Sequence, residues 1–127
     1  MDAAAATALL DLAEQASAAS IGPDAREALD ELETRSDELR SALDWFLDAG
    51  RTDDALRLAN AMYRYWITKQ GFVEGAAWFE RVLAAPGGDP LLRGRACLSA
   101  GMMPFWMGDD QRARELFDEA LEAGRQL

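Results

Sequence analysis

The sequence predicts an all-α fold of about six antiparallel helices, and three observations support it. Apolar residues recur at intervals of three and four along most of the chain, which is the spacing of one helix face. Breaks rich in glycine and proline, such as Gly22-Pro23 and Pro86-Gly87-Gly88, divide the chain into segments of helical length. No segment alternates β-branched and polar residues with a period of two, so we expect no sheet. Short connections favour antiparallel neighbours.

Three helices are predicted in the N-terminal half, each with one apolar face. Pro23 lies in the first turn of the second helix, where proline is tolerated, and Gly50 follows that helix as a C-terminal cap. Thr52 is placed to cap the third helix, and Gly71 ends it. The predicted helices and their apolar residues are Ala3–Ala19 with Leu9, Leu12 and Ala16; about Pro23–Asp48 with Leu29, Leu32, Leu39, Leu43 and Phe46; and Thr52 to Gly71 with Leu56, Ala59, Tyr63 and Trp66.

Three more helices are predicted in the C-terminal half. Asp89-Pro90 combines an N-cap with a proline at the first helical position, and Gly108-Asp109 forms the turn before the last helix. Pro104 lacks a backbone N–H, so we expect an irregularity near Ala100–Pro104, as a kink around a neighbouring helix or as a bent groove wall. The predicted helices are about Phe72–Ala85 with Gly75, Trp78, Phe79 and Val82; Asp89 to Met107; and about Asp110–Gln126 with Ala113, Leu116, Phe117, Ala120 and Leu121.

An internal sequence repeat favours a helical array over a closed bundle. In the segment from Gly94 to Leu121, small residues occupy the positions at which two helices of a 34-residue TPR unit approach closely, and an aromatic residue lies between them. These residues are Gly101, Ala113 and Ala120, with Phe117 at the aromatic position. Gly75 matches Ala113 at a spacing of 38 residues in an earlier, looser copy. We therefore predict a TPR-like right-handed helical repeat, an α-α superhelix, over residues 1–127 as one domain.

Composition argues against several classes of function. The chain has 13 basic and 23 acidic residues, a formal charge of −10 and a pI near 4.4. Because nucleic-acid affinity depends on Lys and Arg neutralising phosphates, and anionic membranes attract basic segments, we expect direct contact with neither. The absence of histidine and the single Cys97 leave no ordinary zinc site, and we expect no metal or other cofactor. One cysteine and an N-terminus without a basic region favour the cytoplasm.

Three stretches, Leu29–Trp66, Glu74–Ala84 and Gly108-Asp109, follow one another along the chain and are preceded by Ala8–Ala16 and Gly22-Pro23. In their order and spacing they resemble the helical-repeat region of bacterial STAND-type ATPase transcriptional regulators, many of which end in a LuxR-type helix-turn-helix. The resemblance covers nearly the whole chain. The run Arg35-Ser36-Asp37-Glu38 departs from the family, which often has an acidic residue, His, Asp and Asn there.

The resemblance implies that the chain is a segment of a larger bacterial regulator. Family members carry an ATPase on the N-terminal side of the repeats and often a DNA-binding domain on the C-terminal side. The present sequence has no GxxxxGK[ST] loop and no basic recognition helix, so we expect no nucleotide or DNA site in it. The repeat region of such proteins is thought to sense an inducer or a partner protein and to restrain the ATPase.

We predict a partner-binding groove on the faces of the third and fifth helices. Its residues would be Arg57, Asn60, Arg64, Arg95, Met102 and Trp106, together with Leu98 and Phe105. Arginine beside methionine and aromatic side chains suits a peptide that carries an acidic residue next to an apolar one. The alternative is that Leu98 and Phe105 belong to the core and that the arginines pair with nearby carboxylates.

Two further expectations concern association and competing functions. Leu116, Phe117 and Leu121 would normally pack against a following helix in a repeat array, so we expect this face to be exposed and to drive self-association. The leading functional hypothesis is a regulatory interaction module of a transcription regulator, and the alternative is a free-standing TPR-like adaptor. Paired carboxylates without a nucleophile or metal ligands do not indicate catalysis, so we expect no enzyme activity.

Overall fold

The computed structural model of the protein describes residues 1–126, and these residues form seven α-helices and no strand. The helices are α1 (Ala3–Ala19), α2 (Ala25–Thr34), α3 (Ser36–Asp48), α4 (Thr52–Thr68), α5 (Phe72–Ala84), α6 (Pro90–Trp106) and α7 (Asp110–Arg125). The all-α prediction is confirmed. None of the described helices is long and apolar enough to cross a membrane.

The second predicted helix is two helices in the structure, so the predicted number of six becomes seven. The break lies at Arg35, whose backbone (φ −96°, ψ 9°) separates α2 from α3. The Thr34 hydroxyl donates to the carbonyl of Asp30 one turn back, a bond that competes with the helix backbone and bends helices. Leu29 and Leu32 nevertheless stay buried with the apolar residues of α3, so the hydrophobic pattern alone did not reveal the break.

The N-terminal helices pack around α4. The carboxylate of Asp2 accepts from the amide of Ala5 at 2.8 Å and caps α1, which then contacts α2, α3 and α4. Buried leucines and Phe46 fill the space between them, and Trp66 near the end of α4 is the largest fully buried side chain. The helix α4 therefore lies at the centre of the fold, with apolar contacts to α1 on one side and to α5 and α6 on the other.

The last four helices form two hairpins packed one after the other. The helix α4 contacts both α5 and α6, and α7 packs mainly on α6. Two glycines allow the close approach. A Cβ at Gly75 would lie 3.1 Å from the Trp66 side chain and 3.0 Å from Cε of Met103, while Gly101 lies beneath the ring of Phe117. Gly75 and Gly101, the two glycines identified from the repeat pattern, therefore lie where neighbouring helices contact each other.

The linker between the two hairpins, residues 85–89, forms hydrogen bonds with both α6 and α4. Arg93 donates to the carbonyl oxygens of Ala85 and Gly87, both at 2.8 Å, and so satisfies groups after the end of α5. On the α4 side, the amide of Asp89 donates to Oδ1 of Asp53 at 2.6 Å, and the hydroxyl of Thr52 donates to the Pro86 carbonyl at 3.2 Å. This last contact corrects the prediction for Thr52. It is the first residue of α4 rather than its cap, because its hydroxyl is used in the linker.

Pro23 was predicted in the first turn of the second helix, but α2 begins at Ala25, so Pro23 lies in the preceding turn. The other predicted helix ends agree with the structure apart from the details below. Gly50 and Gly108 adopt positive φ angles of 71° and 85° in the turns where caps were expected. After α4, however, the left-handed residue is Gln70 (φ 58°) rather than Gly71. The helix α6 continues through Pro104 to Trp106, so the expected irregularity does not interrupt it.

Candidate partner-binding groove

A cavity of about 310 Å³ lies between the C-terminal part of α1 and the exposed faces of α4 and α6. The Asn60 side chain on α4 donates to the Leu92 carbonyl on α6 at 3.4 Å and marks the floor where these two helices meet. The lining residues are Glu14, Ser17, Ala18, Ile21, Arg57, Asn60, Ala61, Leu92 and Arg95. Three of the six predicted groove residues, Arg57, Asn60 and Arg95, therefore come together here.

Arg57 is committed to ion pairs inside the protein. Its guanidinium forms a two-pronged contact with the carboxylate of Glu14 on α1, including Nε to Oε2 at 3.1 Å, and reaches Oδ1 of Asp54 at 3.3 Å. The hydrogen bond to Glu14 raises the pKa of Arg57, while partial burial opposes that shift. Arg57 thus fixes α1 against α4 and builds the wall of the cavity, and its charge is already neutralised.

Asn60 presents an acceptor that the protein does not use. Its Oδ1 is buried and accepts no hydrogen bond from any residue between 1 and 126. A buried acceptor without a partner costs about 1–3 kcal/mol.

Arg95 and Arg64 carry charges that remain available. Both side chains are exposed, and neither forms an ion pair with any described residue. Arg95 lines the cavity, and Arg64 lies one turn beyond Asn60 on the same face of α4. In a chain with 23 acidic and 13 basic residues, most described arginines have a carboxylate partner, so two unpaired arginines on neighbouring helices give this face a local positive charge.

Met102 and Trp106 extend the α6 face beyond the cavity without lining it. They follow Arg95 at seven and eleven residues, which is the spacing of one helical stripe. Met102 is half-buried, and Trp106 is 58% exposed with its ring edge-on to that of Phe105 at 5.3 Å between centroids. Phe105 and Leu98 lie elsewhere, on the side of α6 that faces α7.

The contribution of α1 to this cavity was not predicted from the sequence. Ser17 and Ala18 on α1 and the following Ile21 line the cavity, and the Ile21 side chain is 76% exposed. The available signal was the isolated apolar Ile21 in the Ser20–Pro23 break, where it belongs to no helix face. It supplies the apolar surface beside Arg95 that the predicted groove was expected to draw from α6.

The face predicted for self-association needs one correction. Leu116 is only 1% exposed and belongs to the core between α6 and α7, whereas Leu121 is 59% exposed and Phe117 is half-buried. Two adjoining depressions, of about 570 and 280 Å³, meet at Phe117 along the α6–α7 seam. Their lining residues are Leu98, Phe117, Ala120, Leu121, Gly124 and Arg125 in the first and Phe105, Asp110, Ala113, Arg114 and Phe117 in the second.

Cys97 lies in the α6–α7 contact. Its side chain is buried, and its Sγ lies 3.5 Å from Oε2 of Glu119. Burial, followed by the nearby Glu119 carboxylate, raises the pKa of the thiol to about 11. The thiol is therefore protonated near neutral pH, as expected for a cysteine that fills space between helices.

The chain matches no protein-family model, and it shows no significant similarity to functionally characterised proteins or to solved structures.

Proposed function

We propose that this chain is a non-catalytic protein-interaction module that binds a peptide in the groove between α1, α4 and α6. The peptide carries an acidic residue beside an apolar one. The observation that carries the proposal is the pair of exposed arginines, Arg64 and Arg95, which have no ion-pair partner among the described residues although the chain is rich in carboxylates. A carboxylate of the peptide pairs with them, and Ile21 contacts the neighbouring apolar side chain.

We further propose that the hairpins α4–α5 and α6–α7 are two units of a TPR-like right-handed repeat. Two features support this: the helices contact one another in the order of a repeat array, and Gly75 and Gly101 occupy close-contact positions. In this proposal α4 and α6 are equivalent helices, and the groove lies on the face that they share with α1.

The biological setting that fits this module is a cytoplasmic bacterial transcription regulator related to the STAND-type ATPases, in which the groove receives a signalling partner. A free-standing TPR-like adaptor is the alternative. The encoding gene distinguishes the two. A P-loop upstream or a helix-turn-helix downstream supports the regulator, and an isolated reading frame of about this length supports the adaptor.

The groove is tested with synthetic peptides and fluorescence anisotropy. The probes are fluorescein-labelled peptides in which Glu alternates with Leu, compared with the same peptides carrying Lys in place of Glu. We expect binding of the acidic series only. Arg64→Glu and Arg95→Glu should each weaken it roughly tenfold, because each replaces an attractive charge contact with a repulsive one.

Arg26→Glu is the matched control. Arg26 is exposed on α2, forms no ion pair with a described residue, and lies outside the cavity lining. The substitution changes the net charge by the same amount as the groove variants. If Arg26→Glu weakened binding as much as Arg95→Glu, the effect would be general electrostatic attraction, and the groove assignment would be wrong.

A further inference from the structure

A second cavity, of about 560 Å³, lies between α1 and α2 and shares no lining residue with the partner-binding groove. We call it the α1–α2 groove. The buried and half-buried part of its lining is apolar and includes Leu12, Ala16 and Ala28. No lysine or arginine among residues 1–126 lines it. Its charged lining residues are all acidic and all exposed: Asp11, Asp24, Glu27 and Glu31.

The four carboxylates of the α1–α2 groove have no ion-pair partner among residues 1–126. Two other carboxylates of α2 do have one. Asp30 and Glu33 both contact Nζ of Lys69 at the end of α4, at 3.0 and 3.3 Å. The acidic residues of α2 that meet another part of the protein are therefore neutralised, and those that line the groove keep their charge.

The two arginines whose charges act on the groove are both bonded elsewhere. Asp11 acts on Arg57 and Glu31 acts on Arg35, and each raises the pKa of that arginine. Arg57 is held by the ion pairs described above, and Arg35 bonds to Glu38 at 2.9 Å. The groove therefore remains negative.

Helix stability gives a reason for only two of the four carboxylates. Asp24 and Glu27 lie at the start of α2, where the helix dipole favours negative charge. Glu31 lies in the last turn of the same helix, where the dipole disfavours it, and Asp11 is in the middle of α1. Both of these nevertheless line the cavity.

We propose that the α1–α2 groove binds a basic amphipathic helix of a partner protein. Lysines or arginines of that helix pair with the four carboxylates, and the apolar stripe between them covers the apolar lining. The lining on α1 runs from Ala8 to Ala19, about 16 Å along the helix axis, which three turns of a partner helix would span. Small side chains at Ala8, Ala16, Ala19 and Ala28 allow that helix to approach closely.

The charge and lining of the groove argue against three other occupants. A second copy of the chain, with a net charge of −10, would bring negative charge to a negative surface. An acidic peptide would be repelled for the same reason. A metal ion would leave the apolar lining uncovered, and no group of three or more described carboxylate or thiol side chains is arranged to hold one.

The first test uses a designed helix as the probe in fluorescence anisotropy. The probe is a fluorescein-labelled peptide of about 14 residues, with leucine at every third or fourth position and lysine on both sides of the leucine stripe. A scrambled peptide of the same composition keeps the charge and loses the stripe. We expect the native protein to bind the amphipathic peptide roughly tenfold more tightly than the scrambled one, and less tightly at high salt.

The second test uses charge-reversal variants to locate the binding surface. Asp11→Lys and Glu31→Lys should each weaken binding of the amphipathic peptide roughly tenfold, because each replaces an attractive contact with a repulsive one. Asp118→Lys is the matched control, since Asp118 is exposed on α7, outside the groove, and the substitution changes the net charge equally.

The third test fills the groove without changing its charge. Ala8 is exposed and lines the groove, so Ala8→Trp should also weaken binding roughly tenfold. Ala18→Trp is its control, because Ala18 is exposed on α1 but lies outside the groove. Far-UV circular dichroism verifies that each variant remains helical.

Several outcomes would overturn the proposal. A native protein that bound neither peptide would exclude a basic helix as the occupant. Equal binding of the amphipathic and scrambled peptides, or an effect of Asp118→Lys as large as that of Glu31→Lys, would reduce the binding to general attraction by an acidic protein. Unchanged binding in Ala8→Trp would place the peptide elsewhere. Acidic peptides at Arg64 and Arg95 are measured separately, so either proposal can fail alone.

Discussion

Gly101 of α6 lies directly beneath the aromatic ring of Phe117 on α7. A Cβ built at residue 101 would be 2.6 Å from Cε1 and 2.8 Å from Cδ1 of that ring, closer than carbon atoms approach in folded proteins. The missing side chain therefore sets how closely the two helices pack. It also holds the ring at the height at which it lines both depressions along the α6–α7 seam.

Gly101→Ala is expected to destabilise the protein by about 1–2 kcal/mol. Overpacking costs about 1–3 kcal/mol, and the better helix propensity of alanine returns up to about 1 kcal/mol of it. Gly124→Ala is the control, because no atom lies within 4 Å of a Cβ there, and it should raise stability slightly through propensity alone. Urea unfolding followed by circular dichroism measures both. Equal effects of the two substitutions would contradict the close contact at Phe117.

Arg40→Met is expected to lower stability by about 1 kcal/mol at neutral pH, with the loss disappearing in acid. Arg40 on α3 holds Glu74 on α5 through two bonds, Nε to Oε1 at 2.7 Å and Nη2 to Oε2 at 2.9 Å. This contact lowers the pKa of Glu74 below the usual 4.5. Since the pKa is depressed on folding, the stabilisation is complete above about pH 4.5 and is lost as the pH falls through the lower folded value.

The control for this ion pair is Arg35→Met. Arg35 pairs with Glu38 three residues along the chain, at 2.9 Å, in an exposed position that connects no two distant helices. Its removal should cost less than removal of Arg40 at neutral pH. Urea titrations of both variants between pH 3 and 7 test this, and a difference between Arg40→Met and native protein that stayed constant with pH would argue against a role for the Glu74 charge.

Arg93→Ala is expected to loosen the linker between the hairpins. It removes the donors to the Ala85 and Gly87 carbonyls, and we expect a stability loss of about 1–2 kcal/mol together with faster cleavage by proteinase K at residues 86–89. Arg95→Ala, two residues away and exposed, should leave the cleavage rate unchanged while reducing peptide binding. Mass spectrometry of timed digests identifies the cut site. Unchanged cleavage in Arg93→Ala would mean that the linker is held by other contacts.

Cys97 is expected to react slowly with thiol reagents in the folded protein. A rise in its pKa from 9.0 to about 11 lowers the thiolate fraction near pH 8 about a hundredfold, and burial reduces access further. Reaction with Ellman's reagent should therefore be slow at pH 8 and become fast in denaturant. Because the folded pKa is raised, the associated stabilisation is present below about pH 9 and is lost as the pH rises through about 11. A fast native reaction would show that the α6–α7 contact opens readily.

Local sequence signals predicted most of the helices because their causes are local. The Asp89 side chain accepts a hydrogen bond from the first turn of α6, and the ring of Pro90 fixes φ at its first residue. Gly50 and Gly108 adopt the positive φ angles that end the helices before them. The break at Arg35 was not predictable from the apolar pattern. Leu29 and Leu32 remain buried together with the leucines of α3, and the Thr34 hydrogen bond beside the break leaves no periodic signature in the sequence.

The candidate site was only partly predictable because its formation depends on contacts between distant residues. The spacing on α4 and α6 placed Arg57, Asn60 and Arg95 on facing surfaces, and the structure brings these three together. The sequence could not show that Arg57 is neutralised by Glu14, 43 residues away, or that Ile21 completes the cavity. Nor did periodicity distinguish the buried Leu116 from the exposed Leu121, since both lie on the apolar side of α7.

The bonds made by Arg93, Asp53 and Thr52 to the linker have a consequence for recognition. They hold the N-terminal ends of α4 and α6 to the same linker, so the proposed peptide would meet a cleft whose width is set before it binds. Most of the conformational entropy lost on association would then be that of the peptide, because the protein is already ordered. Affinity in such a cleft is most sensitive to stiffness in the ligand, and a peptide constrained in its bound shape should associate more tightly than its flexible equivalent.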